Sequence, residues 1–216
     1  MVRLQQYRDG CLCRTPQGED AFSERYDVIV AGLGTAGICA AIAAARQGLR
    51  VLGLEQLEAV GGQSTLGSVL PYYFGNPGGL YEELDRKTLG RMERGFVPTQ
   101  GLHPDCRIFV LEQEAKAAGA ELRCGVRVTG VWMEDSRVCG LQWLQGGRFY
   151  SAAARVVITA RRTERLRPCA AAVFWGDGRR TAGCSPIRCP CSPAIKAPSA
   201  VSLSTADTSQ AAARKR

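Results

Sequence analysis

Residues 26–56 read YDVIVAGLGTAGICAAIAAARQGLRVLGLEQ, and this stretch decides the fold. Val28, Ile29, Val30 and Ala31 form a short apolar run rich in β-branched residues, the pattern of a buried parallel strand. Residues 35–47 are Ala-rich and predict a helix, with Gly48 placed to close it. Residues 50–54 predict a second strand that ends at Glu55, which completes a βαβ unit. Between strand and helix, Gly32, Gly34 and Gly37 are spaced G-x-G-x-x-G. Gly32 permits a tight turn, Gly34 lets the backbone approach a pyrophosphate, and Gly37 lets helix and strand pack closely. The helix N-terminus adds amide hydrogens and a positive dipole end for the phosphates. Glu55 lies 18 residues after Gly37, where a carboxylate accepts hydrogen bonds from ribose hydroxyls. A bare glycine triplet says little, and a turn built only for packing is the competing reading. Here the triplet follows a strand, opens a helix and has its acid in place, so a dinucleotide site is expected. Composition does not separate NAD from FAD. The 18 uncharged residues from Val28 to Ala45 approach the length of a membrane span, but the glycines break them where a strand turns into a helix.

Outward from this unit, residues 1–24 are polar and aperiodic and read as a flexible arm. Residues 57–79 are a glycine-dense loop carrying GGQSTLG (61–67) and PYYFGNPGG (71–79). Residues 80–92 and 105–118 predict amphipathic helices, the second opened by Pro104 and closed by Gly119. Residues 121–150 read as an antiparallel meander with breaks at Gly130, Asp135–Ser136 and Gly146–Gly147. Residues 155–158 predict a last apolar strand. The expected class is α/β: a Rossmann-like βαβ domain over residues 25–158 with an antiparallel meander.

The net charge of +8 is unevenly placed. Residues 1–158 hold 17 basic and 17 acidic side chains, while residues 159–216 hold 11 basic and 3 acidic. A nucleic-acid surface sets its basic residues on a folded face among aromatics. This excess lies in an Ala, Ser, Pro and Arg-rich segment, so no nucleic-acid partner is expected. The ten cysteines include no C-x-x-C, and the C-x-C pairs Cys11–Cys13 and Cys189–Cys191 lie in aperiodic segments. No metal is expected. No basic-then-apolar leader opens the chain, which predicts a cytoplasmic protein with reduced thiols and no membrane span.

Four stretches together resemble the FAD-dependent oxidoreductase family: residues 26–56, GGQSTLG, YYFG and GLHPDCRIFVLEQEAKAAGAELRCGVRVTGV (101–131). The resemblance covers residues 25–158 and implies the glutathione reductase-type fold, in the subgroup that includes relatives of the heterodisulfide reductase flavin subunit. It implies FAD as the cofactor and two-electron transfer with an unidentified substrate, with a non-catalytic remnant as the alternative. By the same resemblance Gly32, Gly34 and Gly37 hold the FAD pyrophosphate and Glu55 the adenosine ribose. Gly61, Gly62, Gln63, Ser64 and Thr65 match the glycine-doublet loop that runs toward the flavin. Val126 and Arg127 match the place where backbone groups meet the adenine.

Disulfide reductases of this fold carry a redox cysteine pair just after the doublet. Gln63, Ser64 and Thr65 stand there instead, so dithiol chemistry is not expected. Some relatives bind a 4Fe–4S cluster, and no four-cysteine pattern here supports one. Cys39 reads as a small buried apolar residue. His103 reads as a capping or solvent-facing residue, and Tyr72 and Tyr73 as packing residues that border the flavin if they are functional. No catalytic residue is assigned. After residue 158 the family calls for an Asp-Gly-Thr-like turn, but the sequence continues ITARRTERLRPC (158–169). A single lost nucleotide at codon 159 would account for this, so residues 159–216 are expected to be a disordered basic tail produced by a frameshift, with a genuine disordered basic tail as the alternative, and either way the family domain is incomplete.

Overall fold

The computed structural model describes residues 2–8, 11–16, 22–69, 78–92 and 101–160. In chain order the elements are β1 (Val2–Arg8), β2 (Cys11–Pro16), β3 (Glu24–Ala31), α1 (Thr35–Arg46) and β4 (Val51–Leu54). A one-turn 3-10 helix (Gly62–Ser64) follows, then α2 (Gly79–Met92) and α3 (Pro104–Ala118). β5 (Glu121–Arg123), β6 (Arg127–Glu134), β7 (Arg137–Gln145) and β8 (Arg148–Thr159) complete the described chain. The eight strands form one sheet in the order β2-β1-β6-β7-β8-β3-β4-β5.

β3, β4, β5 and β8 run parallel, with Ile29 opposite Leu52 and Val157, as a βαβ chain with helical crossovers dictates. β6, β7 and the first half of β8 are antiparallel. β8 therefore belongs to both halves: its start pairs with β7 and its end with β3. The apolar core has two layers. On one face of the parallel strands, Val28, Val30 and Val51 pack with Ile38, Ile42, Leu84, Val110 and Leu111 of the three helices. On the other, Ile29, Leu52 and Leu54 pack with Val128, Leu141 and Trp143 of the meander. Strands covered on both faces carry no polar side, which is why residues 28–31 are uniformly apolar.

Two expectations are corrected. Residues 2–8 and 11–16, read as part of a flexible arm, are strands: β1 pairs with β2 and, antiparallel, with β6, where Leu4 faces Trp132. Their apolar signal is thin because two of the buried residues of β1, Gln5 and Gln6, are polar, with the Gln6 side chain satisfied by Gln142. β5, read as the first strand of the meander, instead joins β4 in parallel, since α3 before it provides the crossover.

The helices are tied by Arg46 of α1, Glu83 and Lys87 of α2 and Glu114 of α3, with five N···O contacts of 2.7–2.8 Å. Arg46, then Lys87, holds the Glu83 carboxyl well below its ordinary range, at about 2. A depressed folded pKa contributes stability above the unfolded value, and that contribution fades as pH falls from about 4.5 through about 2. Because the cluster is part-exposed, we expect it to add less than about 1 kcal/mol. The melting-temperature gap between wild type and Glu83→Gln should be measurable at pH 6 and shrink to a small fraction by pH 2. A gap as large at pH 2 as at pH 6 would show that the charge is not its source.

Candidate functional site

The glycine turn lies at the carboxyl ends of β3 and β4. Gly32 adopts φ +94°, a left-handed conformation, and its N–H donates to the Leu54 carbonyl at 2.7 Å. A Cβ on Gly37 would sit 1.9 Å from the Gly32 carbonyl oxygen and 3.0 Å from Ala160 Cβ, so only glycine lets α1 lie this close. Gly34 is different. Its φ is −64° and a Cβ there would meet nothing within 4 Å. Neither strain nor packing within the protein asks for glycine at this position.

Gly34 is the N-cap of α1, and no side chain caps the helix or places an acid in its first turn. The first amides of a twelve-residue helix thus face outward with the positive end of its dipole. Backbone donors and the positive end of the helix dipole are therefore presented at this turn.

Glu55 follows β4 and is 9% exposed. Its Oε2 accepts from the Leu33 N–H at 2.6 Å, and its Oε1 from the Gln56 and Leu57 N–H groups at 2.7 and 3.0 Å. A carboxylate offers about four lone-pair positions, so three donors leave room for a hydroxyl. Val126 lies beside it, its N–H donating to the Glu55 carbonyl at 2.9 Å. What Val126 could offer a base is therefore its carbonyl. Arg127 is exposed at the start of β6.

The doublet loop packs on the glycine turn. Gly61 forms a bridge with Gly34, its N–H donates to the Leu33 carbonyl at 2.8 Å, and a Cβ on Gly62 would lie 2.9 Å from Gly34 Cα. Gly61 sits at φ +94°, which favours glycine. Thr65 is fully buried and donates to the Val60 carbonyl at 2.7 Å, so it shapes the loop from inside. Ser64 is buried and donates to the Gly61 carbonyl at 3.0 Å, while Gln63 is exposed. The fold thus brings Gly32, Gly34, Gly37, Glu55, Gly61–Thr65 and Val126 to one end of the sheet.

Arg107 was not singled out in the sequence. It is 1% exposed and donates through Nε to Ser64 Oγ at 3.1 Å. The helical spacing holds the signal, since 107, 111 and 115 share the stripe that buries Leu111 and Ala115.

His103 is the N-cap residue of α3, yet makes no side-chain cap; its carbonyl accepts the Arg107 N–H at 3.0 Å. Cys39 is half-buried in α1, and burial pushes its thiol above the ordinary value, partly opposed by the nearby Arg107. Burial, with Glu112, Glu55 and Glu58 nearby, raises Cys124 to about 11. Neither thiol is a thiolate at neutral pH. Cys106 is buried and free. Among the described residues no three His, Cys, Asp or Glu side chains gather as a metal site, and no helix is long and apolar enough to cross a membrane. Tyr72, Tyr73 and residues 161–216, with the tail reading, lie outside the described residues.

A mixed sheet with its glycine turn, uncapped helix and acid-tipped second strand defines a dinucleotide-binding α/β protein. The model of the FAD dependent oxidoreductase family matches residues 27–186, and the chain belongs to that family. Its cofactor is FAD, which settles the choice that the glycine motif leaves open. A digeranylgeranylglycerophospholipid reductase of Methanocella arvoryzae is 33% identical over 158 residues, 62% of this chain and 38% of the relative. A second reductase of that description, from Methanococcoides burtonii, is 30% identical over 160 residues, again 38% of its length. The chain therefore spans well under half of the curated relatives it matches. A solved structure from Thermoplasma acidophilum, described as geranylgeranyl bacteriochlorophyll reductase-like, shares the fold with a TM-score of 0.51 at 24% identity, over 69% of this chain and 42% of its own.

Proposed function

We propose that this chain is the FAD-holding part of an oxidoreductase. The pyrophosphate lies on the α1 N-terminus over Gly32, Gly34 and Gly37, the adenosine ribose on Glu55, and the adenine beside Val126 and Arg127. Gly61, Gly62, Gln63, Ser64 and Thr65 form the loop that leads toward the flavin. When bound, FAD supplies two-electron chemistry. The protein's own part is to bind and orient it by backbone donors and one carboxylate. The observation that carries the reading is Gly34: a glycine that the protein itself does not require, at the uncapped start of a helix, is explained by a ligand that approaches there.

Gly34→Ala tests it. The apo protein should stay within about 1 kcal/mol of wild type, the scale of changing glycine to alanine at a helix N-cap. FAD affinity should fall at least tenfold, about 1.4 kcal/mol. Equal affinity in the two proteins would remove the pyrophosphate from this turn.

Partial coverage of the relatives supports a second reading, a portion that holds FAD weakly and catalyses nothing alone. A flavin absorption spectrum of the purified protein separates the two, since a colourless protein that gains no flavin from added FAD favours the second. Reduction of an isoprenoid lipid rests only on the names of the relatives, and no described side chain is assigned to a substrate. Cys13, Cys39, Cys106, Cys124 and Cys139 are free, which supports a cytoplasmic setting. The frameshift reading of residues 159–216 is a proposal that sequencing the gene through codon 159 decides.

A further inference from the structure

Arg107 is a buried cation beside a loop proposed to hold a cofactor, and its bonds run toward that loop. Its Nε donates to Ser64 Oγ at 3.1 Å, its Nη1 is paired with Asp85 of α2, and its guanidinium lies 4.8 Å from the Tyr81 ring centroid. A guanidinium only donates, so Ser64 must use a lone pair toward Arg107. Its single proton is thereby directed to the Gly61 carbonyl, 3.0 Å away. Thr35 of α1 donates to the same carbonyl at 3.2 Å. On the other side of its Cα, the Gly61 N–H donates to the Leu33 carbonyl at 2.8 Å. A continuous relay thus joins α2, α3, the doublet loop and the first turn of α1.

Burying an ion pair contributes little net stability compared with apolar residues of similar size. Its planar, fixed donors do specify geometry. We infer that Arg107 is a positioning residue: through Ser64 it fixes the Gly61–Thr65 loop in its cofactor-ready shape, and Asp85 fixes the guanidinium. The loop then pays no ordering cost when the ligand arrives. This inference rests on the FAD reading of the loop.

The test uses the whole chain with Arg107→Lys, Ser64→Ala and the double variant. Lysine keeps the charge and can reach Asp85, but it lacks the rigid fork that serves Ser64 at the same time. Ser64→Ala removes only a hydroxyl and keeps the test valid should Arg107→Lys fail to fold. FAD dissociation constants, read from flavin fluorescence, should rise about tenfold in each single variant. The double variant should be no weaker than Arg107→Lys alone, because the two groups act in series. Amide exchange without FAD gives the independent arm. The Ser64, Thr65 and Gly67 N–H groups, bonded within the loop, should exchange at least tenfold faster in both single variants, while amides of β6 and β7 keep their rates. Unchanged loop exchange, or additive losses of affinity, overturns the positioning role. Wild-type protein that takes up no FAD would instead count against the cofactor reading, and the exchange rates would still decide the role of Arg107.

Discussion

Gly37→Ala is expected to abolish FAD retention and to lower the melting temperature, two losses that Gly34→Ala separates. The added Cβ would lie 1.9 Å from the Gly32 carbonyl oxygen, far inside van der Waals contact, with Ala160 Cβ 3.0 Å away on another side. The obstacle is backbone, not the end of a flexible side chain, so the helix or the turn must move. Overpacking of this kind costs about 1–3 kcal/mol or more. The Gly32 peptide belongs to the phosphate turn itself, so the displacement should weaken FAD at least a hundredfold, about 2.7 kcal/mol. Thermal melting and FAD titration check both effects. A variant with wild-type melting and affinity would mean that α1 is not held where the structure has it.

Glu55→Ala should carry the second largest effect, and most of it should appear before any ligand is added. The carboxylate accepts three backbone N–H groups, and Leu33 is fully buried. Deleting it leaves the Leu33 donor with no protein partner, at about 1–3 kcal/mol for a buried unsatisfied group. Gln56 and Leu57 are exposed and their donors can turn to water, so we expect a total of about 1–3 kcal/mol in urea unfolding. Glu55→Gln should fall between, because its one carbonyl oxygen cannot replace two carboxylate oxygens on opposite sides. FAD affinity should drop in both variants beyond the stability loss if a ribose hydroxyl takes the remaining lone pair. An alanine variant as stable as wild type would show that the acid is only a surface charge at a strand end.

Both changes act at a place that was readable in the sequence, and the reason is physical. A strand buried on both faces must be apolar throughout, a tight turn needs glycine, and close helix packing needs another. Residues 28–37 therefore have few alternatives, and Gly32, Gly34 and Gly37 stand out. The helix ends were legible for the same reason, since Gly119 takes the left-handed C-cap of α3 at φ +85°. The β1–β2 pair was not legible. β2 is the edge strand, and β1 beside it buries Leu4, Gln5 and Gln6 in a row, two of them polar and placed by partners more than a hundred residues away in sequence, as Gln6 with Gln142 shows. Three residues of β5 are too few to carry a period, and only the crossover before them sets their direction. Arg107 was hidden by a prior: a charged residue in an amphipathic helix is taken for its wet side, although 107, 111 and 115 place it on the dry one.

β8 bears on how the protein can be made. Glu24 to Ala31 pair with Ala152 to Thr159, so the middle of the sheet joins strands more than a hundred residues apart in sequence. During synthesis, β3 leaves the ribosome with one side matched only by the short β4, and its proper neighbour arrives after some 120 further residues. Pairings this distant in sequence form slowly and expose apolar edges while they wait. Nascent chains halted before residue 152 should thus be chaperone clients, with β3 unprotected. The two halves of the sheet can join only when β8 has cleared the exit tunnel.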